Sequence, residues 1–160
     1  MDDWLVTLTV VTALGCGLSA GALFAFSSFV MQALRRLPPA QGASAMQSIN
    51  NTAVTPVFMS ALFGTALACV VVAVAGATAW DEAYGRYLLG GGALYVVGTV
   101  GLTMAYHVPR NDALARVDPD SADGASYWSR YLGEWTAANH IRTAAGIGAA
   151  ALLTVALHVG

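Results

Sequence analysis

The residues best suited to chemistry lie on one stripe of a predicted helix near the C-terminus. From Tyr127 to Gly146 the chain reads YWSRYLGEWTAANHIRTAAG, and it continues without a proline into an apolar tail. An amide and a guanidinium on this stripe cannot face lipid without leaving their hydrogen bonds unmade, so the stripe must face protein, water or a ligand. On a 3.6-residue period it consists of Trp128, Tyr131, Trp135, Asn139 and Arg142.

The same stripe has simpler interpretations. Tryptophan and arginine commonly anchor helices at the membrane surface, so Trp135 and Arg142 could form part of an interfacial belt. Arg142 could also neutralise Glu134 or Asp112. With Asn139 on the same stripe, the sequence supports a site and an interfacial anchor equally.

Two histidines and two further asparagines extend the list of candidates. His107 or His140 could act as a base near neutral pH, or the pair could hold copper or iron, although no H-x₃-H spacing and no obvious third ligand accompany them. Asn50 and Asn111 are polar candidates whose simpler interpretation is helix capping; Asn111 precedes a short apolar helix pattern.

Composition identifies the class of protein that must position these residues. Of 160 residues, 57% are hydrophobic and 10% are charged, against about 25% charged in a typical soluble domain. We therefore expect a polytopic membrane protein in a lipid bilayer. A net charge of −2 gives no basic surface for nucleic acid. Cys16 and Cys69 lie in apolar runs and are predicted to be small buried hydrophobes rather than a disulfide.

Four spans are predicted within a single domain, at about residues 4–34, 57–78, 87–106 and 127–159. Pro38 and Pro39 should end the first span and Pro109 the third. Pro56 should open the second span, with Asn51, Thr52 or Thr55 as its cap. The first connection could hold a short helix. Gly17 and Gly21, like the glycines of span three, suit close helix packing, either within the chain or in a homo-oligomer.

Arginine placement and helix length predict the orientation. There are seven arginines and no lysine, and only Arg86 lies at the end that holds both termini. Both termini should therefore be outside, in a bacterial inner or plasma membrane. A helix of 33 residues measures about 50 Å, against a hydrocarbon core of about 30 Å. The predicted fold is all-α: a four-helix transmembrane bundle with long first and fourth helices overhanging on the cytoplasmic side.

The hydrophobic interiors contain no Asp, Glu or Lys, which disfavours a proton- or cation-coupled transporter. The chain also lacks a dinucleotide fingerprint and a c-type haem motif, so no tightly bound organic cofactor is expected.

Four segments carry a resemblance to a known family. They read F-x-x-F-V-M-x-A-L from Phe26, M-Q-S-I-N from Met46, H-V-P-R-N-D-A-L from His107 and W-x-x-Y-L-x-x-W-T-x-x-N-H-x-R from Trp128. Together they resemble the anthrone oxygenase-like membrane proteins of the DUF1772 family over nearly the whole chain. The chain departs from that pattern at His107, where we expect an asparagine.

The resemblance implies a small four-helix membrane protein of the kind that oxidises polyketide anthrones to anthraquinones with O₂. It maps the family's polar positions onto Asn50, Asn111, Trp135, Asn139 and Arg142. On this basis we expect a membrane oxygenase, a monooxygenase acting on a lipophilic phenolic or anthrone-like substrate. Trp135, Trp128 and Phe29 would form the aromatic slot, and His107, Asn111, Asn139, Arg142 and Asn50 would act on the substrate. The alternative hypothesis is a non-catalytic membrane module that binds a lipid or quinone, or a small subunit of a larger complex.

Overall fold

A computed structural model describes residues 1–160 as five helices without strands. Four are long and apolar enough to cross a membrane: α1 (Asp3–Arg35), α3 (Pro56–Thr78), α4 (Ala83–Ala115) and α5 (Ala122–Val159). The fifth, α2 (Pro39–Thr52), lies in the first connection, where a short helix was predicted. The chain is an integral multi-pass membrane protein, and the predicted all-α four-helix bundle is confirmed.

Proline and hydroxyl caps define the first connection as the sequence predicted. The double proline separates α1 from α2, with Pro39 as the first residue of α2. Thr55 caps α3, because its Oγ1 accepts a hydrogen bond of 3.2 Å from the backbone N–H of Phe58. Pro56 then occupies the first turn, where a missing N–H costs no helical hydrogen bond.

The predicted end of the third span at Pro109 is wrong. Helix α4 continues to Ala115, and α5 begins at Ala122 instead of Tyr127, so only residues 116–121 connect them. A π-helical turn, Thr103–His107, immediately precedes Pro109, and the α-helical hydrogen bonding restarts after it. The proline therefore falls in a first turn, where it is tolerated.

This extension makes α4 as long as α1, at 33 residues each. Three long helices, and not only the first and fourth, therefore reach the end of the bundle that α2 covers. The extension also overturns the capping interpretation of Asn111, which lies inside the last turns of α4. Asn50 likewise lies within α2, and the cap of α3 is Thr55.

Two apolar clusters hold the bundle together. The larger one fills the membrane-spanning part, with Tyr95, Leu88, Leu153 and the two cysteines at its centre. The second lies at the end covered by α2, where Met46 and Leu114 pack against Trp128, Tyr131 and Trp135. Because α2 covers this end, Trp128, Tyr131 and Trp135 at the start of α5 are buried.

Glycines allow the closest helix contacts, but not all at the predicted positions. A Cβ at Gly92 would overlap the carbonyl oxygen of Cys69, so α4 and α3 touch along their backbones, as the glycine-rich third span predicted. In α1 the close approach is at Gly15, which meets Thr65. Gly17 and Gly21 face outward and have no neighbour within 4 Å of an added Cβ, so they do not pack against another helix of this chain.

Candidate functional site

A cavity of about 210 Å³ lies inside the bundle, next to α2. Its wall is mostly apolar, and all five helices contribute to it. Three of the four long helices have a π-helical turn at this level, Phe26–Val30 in α1, Ser60–Gly64 in α3 and Thr103–His107 in α4. The wide turns bring Phe26, Leu62 and His107 to the cavity wall.

Arg142 is the charged group of the cavity. Its side chain is 6% exposed and lines the cavity. Nε donates to Asn139 Oδ1 at 2.8 Å and Nη1 donates to Thr103 Oγ1 at 3.1 Å. Nη2 has no protein partner, and no carboxylate lies within ion-pair distance of the guanidinium, since the one ion pair of the chain joins Arg110 to Glu134. A buried cation without a counter-ion is costly, so the site favours an anionic ligand.

Asn139 fixes the position of the Arg142 guanidinium by accepting the hydrogen bond from Nε. It is fully buried, and its Nδ2 donates to the carbonyl oxygen of Leu23 at 2.8 Å and to Ser27 Oγ at 2.7 Å. These two bonds aim Oδ1 at Arg142 and tie α5 to α1. Asn139 does not itself line the cavity, and its contact with a lining residue is the hydrogen bond to Arg142.

Trp135 forms the aromatic wall between the polar groups. The guanidinium carbon of Arg142 lies 5.0 Å from the centre of the indole, and the His107 ring meets the same indole edge-on with a centroid distance of 5.0 Å. Phe26 packs at 5.7 Å from it. These contacts hold the indole rigidly, which suits stacking of a flat aromatic ligand.

His107 is buried and lines the cavity, and each of its two ring nitrogens lies beside a backbone carbonyl oxygen. Nδ1 lies 3.3 Å from the carbonyl oxygen of Leu102, and Nε2 lies 3.4 Å from that of Trp135. Both distances are at the long end of the hydrogen-bond range. An imidazolium could donate to both carbonyls at once, whereas the neutral ring has one N–H to donate.

A chain of hydrogen bonds joins α5, α4 and α2 beside Trp135. Trp135 Nε1 donates to Asn111 Oδ1 at 3.0 Å, and Tyr131 Oη donates to the same oxygen at 2.8 Å. Asn50 Nδ2 then donates to Tyr131 Oη at 3.4 Å. Both asparagines line the cavity.

The structure brings together most, but not all, of the predicted site residues. His107, Asn111, Arg142, Asn50 and Trp135 line one cavity, and Asn139 contacts it through Arg142. Three others lie elsewhere. Phe29 is 63% exposed on the outer surface, Trp128 packs under α2 against Gly42, and His140 lines a separate shallow groove with Phe24 and Ser28.

Sequence reasoning missed three contributors. Tyr131 was on the stripe but was not counted as a site residue. Thr103 lies four residues before His107, a spacing that indicates a shared face of α4, and both residues line the cavity. Phe58, one turn after the cap of α3, supplies an aromatic wall in place of Phe29.

The donor set does not fit the copper or iron site considered from the sequence. His107 and His140 line different cavities, and no group of three His, Cys, Asp or Glu side chains is close enough to hold a metal ion. A ligand set for either metal needs several such donors around one point. No step below is assigned to a metal.

The fold and the site together define a class of protein, a multi-pass membrane bundle with a mostly apolar cavity at one end that contains a buried arginine. Comparison with known protein families shows which family the chain belongs to. The sequence model of the family described as Anthrone oxygenase matches residues 55–152, more than half of the chain, and the protein belongs to this family, also called DUF1772. The match includes His107, Asn111, Trp135, Asn139 and Arg142. No curated protein and no solved structure matches the chain.

Proposed function

We propose that this protein is a membrane oxygenase that oxidises an anthrone-like or phenolic substrate with O₂ in the cavity beside Trp135. The observation that carries the proposal is Arg142, a buried cation that lines a mostly apolar cavity and has no carboxylate partner. Such a group stabilises an oxyanion on an otherwise lipophilic molecule. Membership in the anthrone oxygenase family supports the same class of substrate.

The proposed oxidation requires an ionised substrate and O₂. An anthrone loses a proton from its methylene carbon to give an enolate, whose oxygen Arg142 binds. The enolate passes one electron to O₂, giving a carbon-centred radical and superoxide. The two combine to a peroxide, which is protonated and loses water to leave a quinone carbonyl. One O₂ is consumed, one oxygen atom enters the product, and the other leaves as water.

His107 is the group proposed to accept the methylene proton. It lines the cavity against Trp135, and the neutral ring can donate to only one of the two backbone carbonyl oxygens beside it, which leaves its other nitrogen free to accept a proton. The imidazolium that forms can donate to the carbonyl oxygens of Leu102 and Trp135 together, which partly offsets the cost of a second buried positive charge near Arg142. The other histidine candidate, His140, lies outside this cavity.

The apolar wall has two further roles in the proposal. Phe58 and Phe26 complete an aromatic slot with Trp135, and they exclude water that would compete for the oxyanion. The cavity also borders Val54 and Met104, whose side chains are largely exposed on the outer surface of the bundle. A poorly soluble substrate can therefore reach the slot from the bilayer.

The test compares Arg142→Gln with Arg86→Gln in purified protein supplied with a hydroxyanthrone. Oxygen uptake and the absorbance of the quinone product are measured together. Replacing Arg142 should lower kcat/KM by about 100-fold or more, because an oxyanion would then meet only a neutral amide. The Arg86 variant should match the wild type, because that side chain is exposed at the opposite end of the bundle.

Two results would contradict the proposal. One is an Arg142→Gln variant that folds and keeps its turnover. The other is a wild-type protein that binds the anthrone but consumes no oxygen, which would instead support the alternative role as a binding module.

A further inference from the structure

The orientation of both cavity asparagines can be deduced from a single donor, the indole N–H of Trp135. This group can only donate, so the Asn111 atom that it faces at 3.0 Å must be the amide oxygen. The same oxygen then accepts from the hydroxyl of Tyr131 at 2.8 Å. Asn111 therefore cannot be flipped, and its NH₂ group has no protein partner and is left to the cavity.

The orientation of the Asn50 amide follows from that of Asn111. Because the Tyr131 hydroxyl donates its only hydrogen to Asn111, it can only accept from Asn50, and it does so from Nδ2 at 3.4 Å. The amide oxygen of Asn50 is then left without a protein partner, and this residue also lines the cavity. The two asparagines thus present one donor and one acceptor to the same space.

We infer that Asn50 and Asn111 form a subsite that binds a neutral hydroxyl group of the ligand, and that Tyr131 is the positioning residue that sets their orientation. A hydroxyl accepts from the NH₂ group of Asn111 and donates to the amide oxygen of Asn50. An ether oxygen or a carbonyl can only accept, so it leaves the Asn50 oxygen unpaired. The subsite therefore selects ligands with a free hydroxyl.

This subsite differs in chemistry from the oxyanion position at Arg142. The guanidinium carbon lies 5.0 Å from the centre of the Trp135 ring, whereas Asn111 meets the N–H edge of the same ring. One aromatic ligand stacked beside Trp135 can therefore place an ionised oxygen at Arg142 and a protonated hydroxyl at the asparagines. The inference rests on the proposed cavity as the ligand site, but not on oxygen chemistry.

The test is a binding comparison between 2-naphthol, which is un-ionised at neutral pH, and its methyl ether. Both are titrated into the purified protein in nanodiscs, and quenching of tryptophan fluorescence gives their Kd values. The wild type should bind the naphthol about tenfold more tightly than the ether, the difference expected when the ligand covers the Asn50 oxygen without donating a hydrogen bond to it. Tyr131→Phe should bring this ratio close to one, since Asn50 and Asn111 are then free to turn.

Two further variants separate positioning from folding. Tyr127→Phe is the matched control, because the hydroxyl of Tyr127 donates to the carbonyl oxygen of Arg110 and is not part of the asparagine chain; it should keep the wild-type ratio. Asn50→Leu removes the acceptor from a partly exposed position, and it should abolish the preference even if Tyr131→Phe does not fold.

A wild type that binds both compounds equally, or an Asn50→Leu variant that keeps the preference, would overturn the inference. These outcomes are distinct from failure of the proposed function. A wild-type protein that shows no preference for the naphthol but takes up oxygen normally counts against the subsite alone. A wild-type protein that prefers the naphthol but takes up no oxygen counts against the oxygenase alone.

Discussion

Arg142 takes its orientation from side chains on three helices. Asn139 on α5 holds Nε, Thr103 on α4 holds Nη1, and Ser27 on α1 holds Asn139 in turn. All of these partners are neutral, so they fix the direction of the guanidinium without reducing its charge. The arrangement leaves the full positive charge available to a ligand in the cavity, where the surroundings screen it poorly.

Thr103→Val tests whether this support matters for the reaction. The valine keeps the shape of the side chain but removes the oxygen that accepts from Arg142 Nη1 at 3.1 Å. The guanidinium should become less well placed, and kcat/KM for a hydroxyanthrone should fall about three- to tenfold, the effect of losing one hydrogen bond of about 1 kcal/mol.

Thr154→Val is the matched control for this prediction. Its hydroxyl donates to the carbonyl oxygen of Ala150 in its own helix, at an exposed position. This variant should retain the wild-type kcat/KM. Equal losses in the two variants would show that the Thr103 effect arises from replacing a helical threonine and not from Arg142.

At the level of whole elements, the polar stripe of α5 was the part of the site that the sequence predicted best. Its five members are all buried, because a 3.6-residue period places them on the face that α1, α2 and α4 cover. Burial does not imply a common role, however. Trp128 packs under α2 and Tyr131 holds the asparagines, while only Trp135 and Arg142 line the cavity directly.

The continuation of helix α4 past Pro109 could not be predicted from the sequence pattern. A proline usually ends a helix, but the π-helical turn before Pro109 lets α4 continue and carries Asn111 to the cavity. A π-helical turn depends on packing against neighbouring helices and has no clear residue signature. Phe29 illustrates the same limit: it lies within the π-helical turn of α1 and faces outward, whereas Phe26 faces the cavity.

Backbone contact between α3 and α4 is tested by Gly92→Ala. The added methyl group would overlap the carbonyl oxygen of Cys69 and approach the Cβ of Ala73 to 2.8 Å, so the helices must move apart. The free energy of unfolding should fall by about 1–3 kcal/mol, the usual effect of overpacking. Thermal unfolding in detergent measures the change as a lower Tm.

Gly21→Ala provides the contrast within the same bundle. An added Cβ there meets nothing within 4 Å, and alanine favours a helix over glycine by about 0.5–1 kcal/mol. Its Tm should equal or slightly exceed that of the wild type. A large loss of stability at Gly21 instead would show that this outward face packs against another copy, the homo-oligomer that the sequence allowed.

At the scale of the whole molecule, the two ends of the bundle differ in both charge and structure. The end that contains α2 and the cavity also has Arg35, Arg36, Arg110, Arg116 and Arg130, whereas the opposite end has only Arg86. Arginine-rich ends remain in the cytoplasm during membrane insertion. The cavity should therefore open near the cytoplasmic surface, with both termini on the other side.

Single added cysteines test this orientation in intact cells with a membrane-impermeant maleimide. Asp81→Cys lies in the exposed turn between α3 and α4, and Asp120→Cys in the exposed turn between α4 and α5. The first should be labelled in intact cells and the second only after permeabilisation. The unmodified chain is the control, because Cys16 and Cys69 are fully buried and should not react. The reverse labelling pattern would place the cavity at the outer surface, and the substrate would then have to reach it from outside.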